Sequence, residues 1–384
     1  MGVVFCLNDI DGGVYSVVKN IVKYGNFDSG IKIILAANLH NVAEGSRIKP
    51  DLSIQAGFVR FEYNKGDNFY YIARRFKRLI DSTDIIVAND WLELGVVSNL
   101  GLQNKVIFIL HGDYDYYYDL AIKHQKIIDA FICVSECIQL KLQESLSDRS
   151  LDIVHLRHPI PSVPSKQEYN YGNKLRCLFI GRLTKDKGYH ILPLINAELK
   201  QKGVFVEWGI VGNDQNVDRS AWNEAKNVNF LGQIENSVLL SRLRQYDLFL
   251  LPSHAEGFPV SLVECMKAGL VPLLSDLPSG IPELVEHGIT GYRFPLDDYI
   301  AYVNVIEQIH NQRELLSQMG KLCQVKTQSL FDPKHNAQEY LSFIYRVAKY
   351  PCRIKHREKI YGSRLDQPYL FNVLTRLVRK YINI

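Results

Sequence analysis

Short apolar runs alternate with segments of helical period along this chain, and the alternation runs twice. In the first half, Val3–Leu7, Ile31–Ala37, Phe58–Tyr63, Asp84–Ala88, Val106–Leu110, Ala130–Val134 and Asp152–Leu156 read as buried strands. Val14–Tyr24, Asn68–Ile80, Trp91–Leu100, Leu120–Ile128 and Glu136–Ser145 read as helices, the second with a basic outer face (Arg74, Arg75, Lys77, Arg78). Residues 159–173 break the pattern with three prolines among polar neighbours and read as a linker. The alternation then restarts. Leu175–Ile180, Val204–Val211, Val228–Leu231, Asp247–Leu251, Leu270–Leu274 and Gly291–Phe294 read as strands. Tyr189–Lys200, Trp222–Lys226, Glu235–Tyr246, a helix closed by Gly269, and Ile281–Glu286 read as helices, and the stretch 297–350 is helical throughout. Strand–helix alternation of this kind predicts an α/β fold in which parallel sheets carry helices on both faces. The expected bounds are an N-terminal domain over 1–158, the linker over 159–173, a C-terminal domain over 174–349 and a tail over 350–384. Two doubly wound domains facing one cleft would bind ligands beyond the carboxyl ends of their strands.

Composition adds three constraints. The 384 residues suffice for two domains of ordinary size, with apolar and charged fractions of a globular protein. Seven scattered cysteines, none in C-x-x-C spacing, fit a reducing, cytoplasmic compartment. No apolar run reaches the length of a membrane span. The net charge of +4 is unevenly spread: from Tyr350 onward there are eight basic and two acidic residues, leaving 37 basic against 39 acidic in the body. A near-neutral body gives no reason to expect a nucleic-acid partner.

Candidate chemistry gathers at two loops of the second half. Gly181 to Gly188 joins a strand to a helix and holds Arg182 and Lys187, two cations placed to meet a diphosphate. Leu250 to Gly269, LPSHAEGFPVSLVECMKAGL, is a strand end, a glycine loop and a helix whose N-terminus favours anions or oxygen-rich ligands. Glu256 and Glu264 flank that turn, and carboxylates suit the hydroxyls of a sugar or ribose. Each feature has a plainer reading, as solvated loop charges or an ordinary turn. In the first half Gly12-Gly13 permits close backbone approach. Asp9, Asp11, Asp90 and Asp113 follow strands. Tyr114, Tyr116, Tyr117 and Tyr118 form a run of rings suited to stacking on a sugar face, or else to packing a helix start. The triplets Asp9–Asp11 and Asp113–Asp115 are too sparse in carboxylates to predict a metal site.

Taken together these motifs resemble the retaining glycosyltransferases of the GT-B fold, most closely glycosyltransferase family 4 of the glycosyl transferases group 1. The residues that carry the resemblance are Phe179-Ile180-Gly181-Arg182-Leu183 with Lys187-Gly188, then Gly209-Ile210-Val211-Gly212 and Asn229-Phe230-Leu231-Gly232. Leu251-Pro252-Ser253, Glu256-Gly257-Phe258-Pro259 with Glu264, Glu283-Leu284-Val285 and Gly288-Ile289-Thr290-Gly291 continue it. It runs from about 175 to 295, while the first half matches only through Gly12-Gly13, His111-Gly112 and Val134-Ser135. The resemblance implies a donor that is a nucleotide-diphosphate sugar, UDP- or GDP-linked, with no further cofactor and no metal. Arg182 and Lys187 would neutralise its diphosphate, Glu264 would hold the ribose, and Glu256 with the amides around Gly257 and Phe258 would surround the sugar. Gly12 and Gly13 would approach the phosphates, and His111 would lie near the reacting sugar. Asp11, Asp90, Tyr114 and Tyr116 are the candidate acceptor contacts. Transfer would retain configuration, with a carbohydrate or lipid-linked acceptor in bacterial surface polysaccharide or glycolipid assembly. A GT-B nucleotide-sugar epimerase and a catalytically silent scaffold subunit are the alternatives.

The tail carries one more pattern. Over 368–384, Leu370, Leu374, Leu377, Val378, Tyr381 and Ile382 share one helical side, and Asn372, Arg376, Arg379 and Lys380 lie opposite. Such a helix suits peripheral contact with the inner face of the plasma membrane, or docking on the protein body.

Overall fold

Seven of the apolar runs pair into one parallel sheet and six into another. The structure, a computed structural model, describes all residues except 28–29, 41–46, 167–168, 170–173, 214–217, 223–224, 352 and 383–384. The first sheet contains β1 (Val3–Asn8), β2 (Ile31–Asn38), β3 (Gly57–Tyr63), β4 (Ile85–Ala88), β5 (Lys105–Leu110), β6 (Ala130–Cys133) and β7 (Ile153–His155). Its order is β3-β2-β1-β4-β5-β6-β7. Helices α1 (Gly13–Tyr24), α2 (Phe69–Lys77), α3 (Trp91–Leu100), α4 (Asp115–His124) and α5 (Glu136–Ser145) make the crossovers. β4 is buried along its whole length and β5 from Val106 to Leu110, which is why both read as unbroken apolar runs rather than alternating ones. The order reverses between β1 and β4. The loops that leave β1, β4 and β5 therefore part around a crevice at the carboxyl ends of the strands.

The second sheet contains β8 (Leu175–Ile180), β9 (Val206–Val211), β10 (Val228–Gly232), β11 (Leu248–Leu251), β12 (Val271–Ser275) and β13 (Tyr292–Phe294), in the order β10-β9-β8-β11-β12-β13. Its helices are α6 (Leu192–Gln201), α7 (Asn236–Arg242), α8 (Val260–Ala268), α9 (Ile281–Leu284), α10 (Tyr299–Asn311) and α11 (Glu314–Leu330). Here the reversal falls between β8 and β11. The two loops singled out by their chemistry leave those two strands. Both sheets are thus of the expected doubly wound kind. Boundaries moved where side chains intervene: a 3-10 turn over Tyr189–Ile191 precedes α6, which starts at Leu192 with Pro193 in its first turn. The middle of the expected Trp222–Lys226 helix lies outside the described residues.

The expected domain bounds need correction. The compact units are 1–159 with 333–384, and 160–332. The last helix of the helical stretch, α12 (Pro333–Ala348), returns to the first unit. Its apolar face packs along α1, Tyr340 Oη donates to the Leu156 carbonyl at 3.2 Å, and Asn336 Nδ2 donates to that of His158 at 3.0 Å. The segment read as a linker is, in its described part, packed structure of the second unit. Ile160 is fully buried, the Lys166 amide donates to the Ala268 carbonyl, and Lys166 Nζ meets Asp247 at 2.5 Å. Tyr169 Oη donates to the Gly269 carbonyl.

The tail is held to the first unit as well. Lys355 is buried, with its ammonium on the Asn104 carbonyl and 2.7 Å from the Asp129 carboxylate. The Tyr361 ring packs among Phe69, Trp91 and His124. The last helix, α13 (Asn372–Ile382), docks by its polar side: Arg376 and Asn372 bind Asp67, and Arg379 binds Asp366 at 2.6 Å. Its apolar side faces outward, with Leu374, Leu377, Val378 and Tyr381 all exposed.

Candidate active site

The loop after β8 and the loop after β11 are locked together. Gly188 has φ 72°, and a Cβ there would sit 1.9 Å from the Pro252 carbonyl oxygen, so only glycine fits this crossing. The His254 amide donates to the Asp186 carbonyl at 2.9 Å. Across this seam Lys187 Nζ lies 2.7 Å from Glu256 Oε1, with both side chains largely buried. The same Glu256 oxygen accepts from Ser253 Oγ at 2.7 Å. The cation read as a phosphate ligand and the carboxylate read as a sugar ligand are therefore direct neighbours. Arg182 extends into solvent and is held to Asp186 at 2.7 Å, one turn along its own loop.

Beyond the loop, α8 begins at Val260 with Pro259 as its cap (φ −70°), and it closes at Gly269 (φ 91°) as the sequence predicts. Glu264 is buried on this helix and accepts from Asn236 Nδ2 at 3.1 Å. The Phe258 ring is also buried and packs on Phe331 at 5.5 Å, so this residue offers a ligand its backbone rather than its ring. The Gly257 carbonyl accepts from the Gly280 amide.

Sequence reasoning missed two features of this unit. Lys267, a turn after Glu264, is buried and donates to the carbonyls of Ile160, Pro161 and Phe331. It ties together the points where the chain enters and leaves the unit, and burial pushes its ammonium down to about 8. His254, which the sequence did not single out, lies 2.7 Å from Asp297, whose backbone is left-handed (φ 60°), and His190 approaches the same carboxylate at 3.9 Å. Among the described residues these three alone bring metal-ligand side chains within 4.8 Å of one another.

In the first unit, the loops leaving β1, β4 and β5 bring Asn8, Asn89, Asp90 and His111 to one end of the sheet. Asp90 caps α3, accepts from the Trp91 amide at 2.7 Å, and is bound by Asn8 Nδ2 and the Tyr116 hydroxyl. Burial raises its carboxyl above the ordinary range. Glu93, which the sequence did not single out, is buried one turn on and accepts from the amides of Asn89 and Asp90 at 2.7 Å each. Burial, with Asp90 adding repulsion, pushes it up to about 8. Asn89 donates its amide nitrogen to the Cys6 carbonyl, which turns its oxygen toward His111 Nε2 at 2.7 Å. The network therefore assigns the ring proton to Nε2 and leaves Nδ1 as an acceptor. Burial pushes the ring down to about 3, so His111 is neutral near pH 7.

Tyr114 and Tyr116 are exposed at the start of α4, which begins earlier than its apolar pattern predicts. A Cβ on Gly112 would meet the Tyr114 ring at 2.2 Å, so that glycine makes room for it. The aspartates of the two triplets divide. Asp9 is fully buried and bound by the Ile48 amide and Arg60, a structural role. Asp113 pairs with Lys141 at 2.5 Å and accepts from Tyr118 Oη. Asp11 is exposed beside Gly12 and Gly13. A Cβ on either glycine would meet nothing within 4 Å, so the space before the N-terminus of α1 is open.

Two doubly wound units carried on one chain make this a GT-B fold. Residues 165–323 match the family model of the glycosyl transferases group 1. The O-antigen biosynthesis glycosyltransferase WbnH of Escherichia coli is 25% identical over 282 residues, covering 72% of this chain and 71% of that protein. The amylovoran biosynthesis glycosyltransferase AmsK of Erwinia amylovora is 35% identical over 148 residues, 34% of this chain and 35% of that one. Among solved structures, Anabaena Alr3699/HepE in complex with UDP and glucose superposes with a TM-score of 0.72 over 90% of this chain and all of that one, at 17% identity. That likeness is one of fold.

Proposed function

We propose that this protein is a retaining glycosyltransferase. It would move a sugar from a nucleotide-diphosphate sugar to a carbohydrate or lipid-linked acceptor during assembly of a bacterial surface polysaccharide. The observation that carries the reading is the Lys187–Glu256 contact at the switch point of the second sheet. It joins two motifs 69 residues apart in sequence into one polar site. The polysaccharide setting is supported by relatives whose names place them in O-antigen and amylovoran biosynthesis.

In this reading the donor diphosphate takes Lys187 as its cation, with Arg182 swinging from Asp186 to help. Glu256 is then released to accept from a sugar hydroxyl, and Glu264 accepts from the ribose. Positive charge fixed beside the leaving diphosphate stabilises the charge that develops as the glycosidic bond breaks. A protein that supplies this charge by lysine and arginine needs no metal for the step. The leaving phosphate oxygen takes the acceptor proton. In the first unit, His111 presents a neutral ring with a free acceptor nitrogen, and Gly12-Gly13 offers backbone donors at a helix start. Asp11, Asp90, Tyr114 and Tyr116 are assigned to the acceptor.

Thermal shift with UDP, GDP and their sugars identifies the donor, since a ligand that binds only the folded chain raises its melting temperature. NMR of the product with the matching acceptor then reads the anomeric configuration. Inversion would end the retaining assignment. Activity that disappears with EDTA and returns with a divalent ion would end the metal-independent one, and would direct attention to His190, His254 and Asp297. Conversion of the nucleotide sugar in the absence of acceptor would identify an epimerase instead.

A further inference from the structure

An amphipathic helix docked on a protein ordinarily turns its apolar stripe inward. Helix α13 does the reverse. Asn372, Arg376 and Arg379 face the first unit and bind Asp67 and Asp366, two carboxylates that are themselves 1% exposed. Thr375, on the same side, is buried. The opposite side presents Leu374, Leu377, Val378 and Tyr381, and Phe371 stands exposed just before the helix. The docking is firm at the base: the Asn68 backbone amide donates to Asn372 Oδ1, and Asn68 Nδ2 donates to the carbonyls of Gln367 and Leu370. The apolar face is therefore held outward by ion pairs on the polar face.

We propose that α13 is a built-in foot that lays this apolar face into an anionic phospholipid surface. Two observations select that occupant. At eleven residues the helix is far too short to span a bilayer, and no helix among the described residues is long and apolar enough to do so. A helix lying in the interface plane needs only a face, and this is the geometry it requires. The second observation is charge. Lys380 is exposed on the edge of the helix. Arg74 and Arg75 of α2 lie over the Tyr70 and Tyr71 rings, Arg357 of the tail also lies over Tyr70, and Tyr71 itself lies near Arg376 of the helix. A second copy of the chain would bring these cations against their own likeness. An anionic headgroup layer complements them.

This inference goes beyond sugar transfer and does not depend on it. The test is flotation of the full chain with vesicles of phosphatidylcholine mixed with phosphatidylglycerol, against phosphatidylcholine alone. The chain should float with the anionic vesicles and stay behind with the neutral ones. A triple variant, Leu374→Glu, Leu377→Glu and Tyr381→Glu, should lower the partition at least about tenfold. Its melting temperature and its turnover of a water-soluble acceptor should not change, because these side chains touch solvent. Equal flotation of wild type and triple variant overturns the proposal. So does a wild-type dimer, seen by light scattering and abolished by the triple variant, with no vesicle binding: the face would then belong to a second copy.

Discussion

At the scale of single residues, two glycines that look alike in sequence should behave oppositely. Gly188 is left-handed and pressed against Pro252, so Gly188→Ala should cost more than about 2 kcal/mol in urea unfolding and displace the Lys187 loop. Gly13 opens onto empty space, so Gly13→Ala should leave stability intact while raising the donor KM. An unchanged KM would remove Gly13 from the donor site. Lys187→Ala should lower kcat/KM by ~1.5–3 kcal/mol of transition-state binding, and an unchanged value would place the diphosphate elsewhere. Lys187 and Glu256 were legible because each lies in a local motif. His254 and Asp297 were not, since 43 residues separate them and no local signal links them. Glu93 and Lys267 stayed hidden for another reason. A charged residue on a helix reads as solvated, and only burial of the surrounding helix faces shows each to be an internal connector.

At the scale of elements, periodicity predicted most of the strands and helices but not their allegiance. The apolar spacing of α12 is plain in Tyr340, Leu341, Ile344 and Val347, yet nothing in that spacing says that α1 is the partner. The same limit holds for α13, where the two faces were readable and the side that docks was decided by Asp67 and Asp366, far away in sequence or outside the helix. The role of α12 is testable. Tyr340→Phe removes one buried donor to the Leu156 carbonyl and should cost about 1 kcal/mol. Because α12 packs in the first unit, the loss should appear in hydrogen exchange of α1 and β5 rather than in the second sheet. Faster exchange confined to β8–β12 would contradict this assignment.

At the scale of the whole molecule, the first unit should be the acid-sensitive one. Burial holds four of its histidines neutral: His111 is pushed down to about 3, His124 and His155 to about 4, and His158 well below its ordinary value. Between these values and the ordinary 6.5, the unfolded chain binds protons that the folded chain refuses. Stability therefore rises with pH through this window and is lost as pH falls. Glu93 acts in the opposite sense. Its carboxyl is pushed up to about 8, so the fold holds a proton there that the unfolded chain releases, and stability declines between about 4.5 and 8. Asp90, also raised by burial, acts with Glu93, but two carboxyls against four histidines leave the histidines in control below pH 6.5. Denaturant midpoints measured from pH 4.5 to 7.5 should climb toward about pH 6.5 and then turn down as Glu93 keeps its proton in the fold, and a flat profile throughout would show that these rings are hydrated in solution.

The return of α12 and the tail to the first unit sets an order of manufacture. Residues 160–332 form one uninterrupted stretch and can close their sheet as soon as they clear the ribosome. The first unit emerges earlier, yet it lacks the cover for α1 and the Lys355 ion pair until residues 333–355 have been made. The part synthesised first is thus completed last, and meanwhile its apolar α1 face is available to chaperones. Proteolysis of ribosome-bound chains stalled just before α12 emerges should find the second unit protected and the first still open.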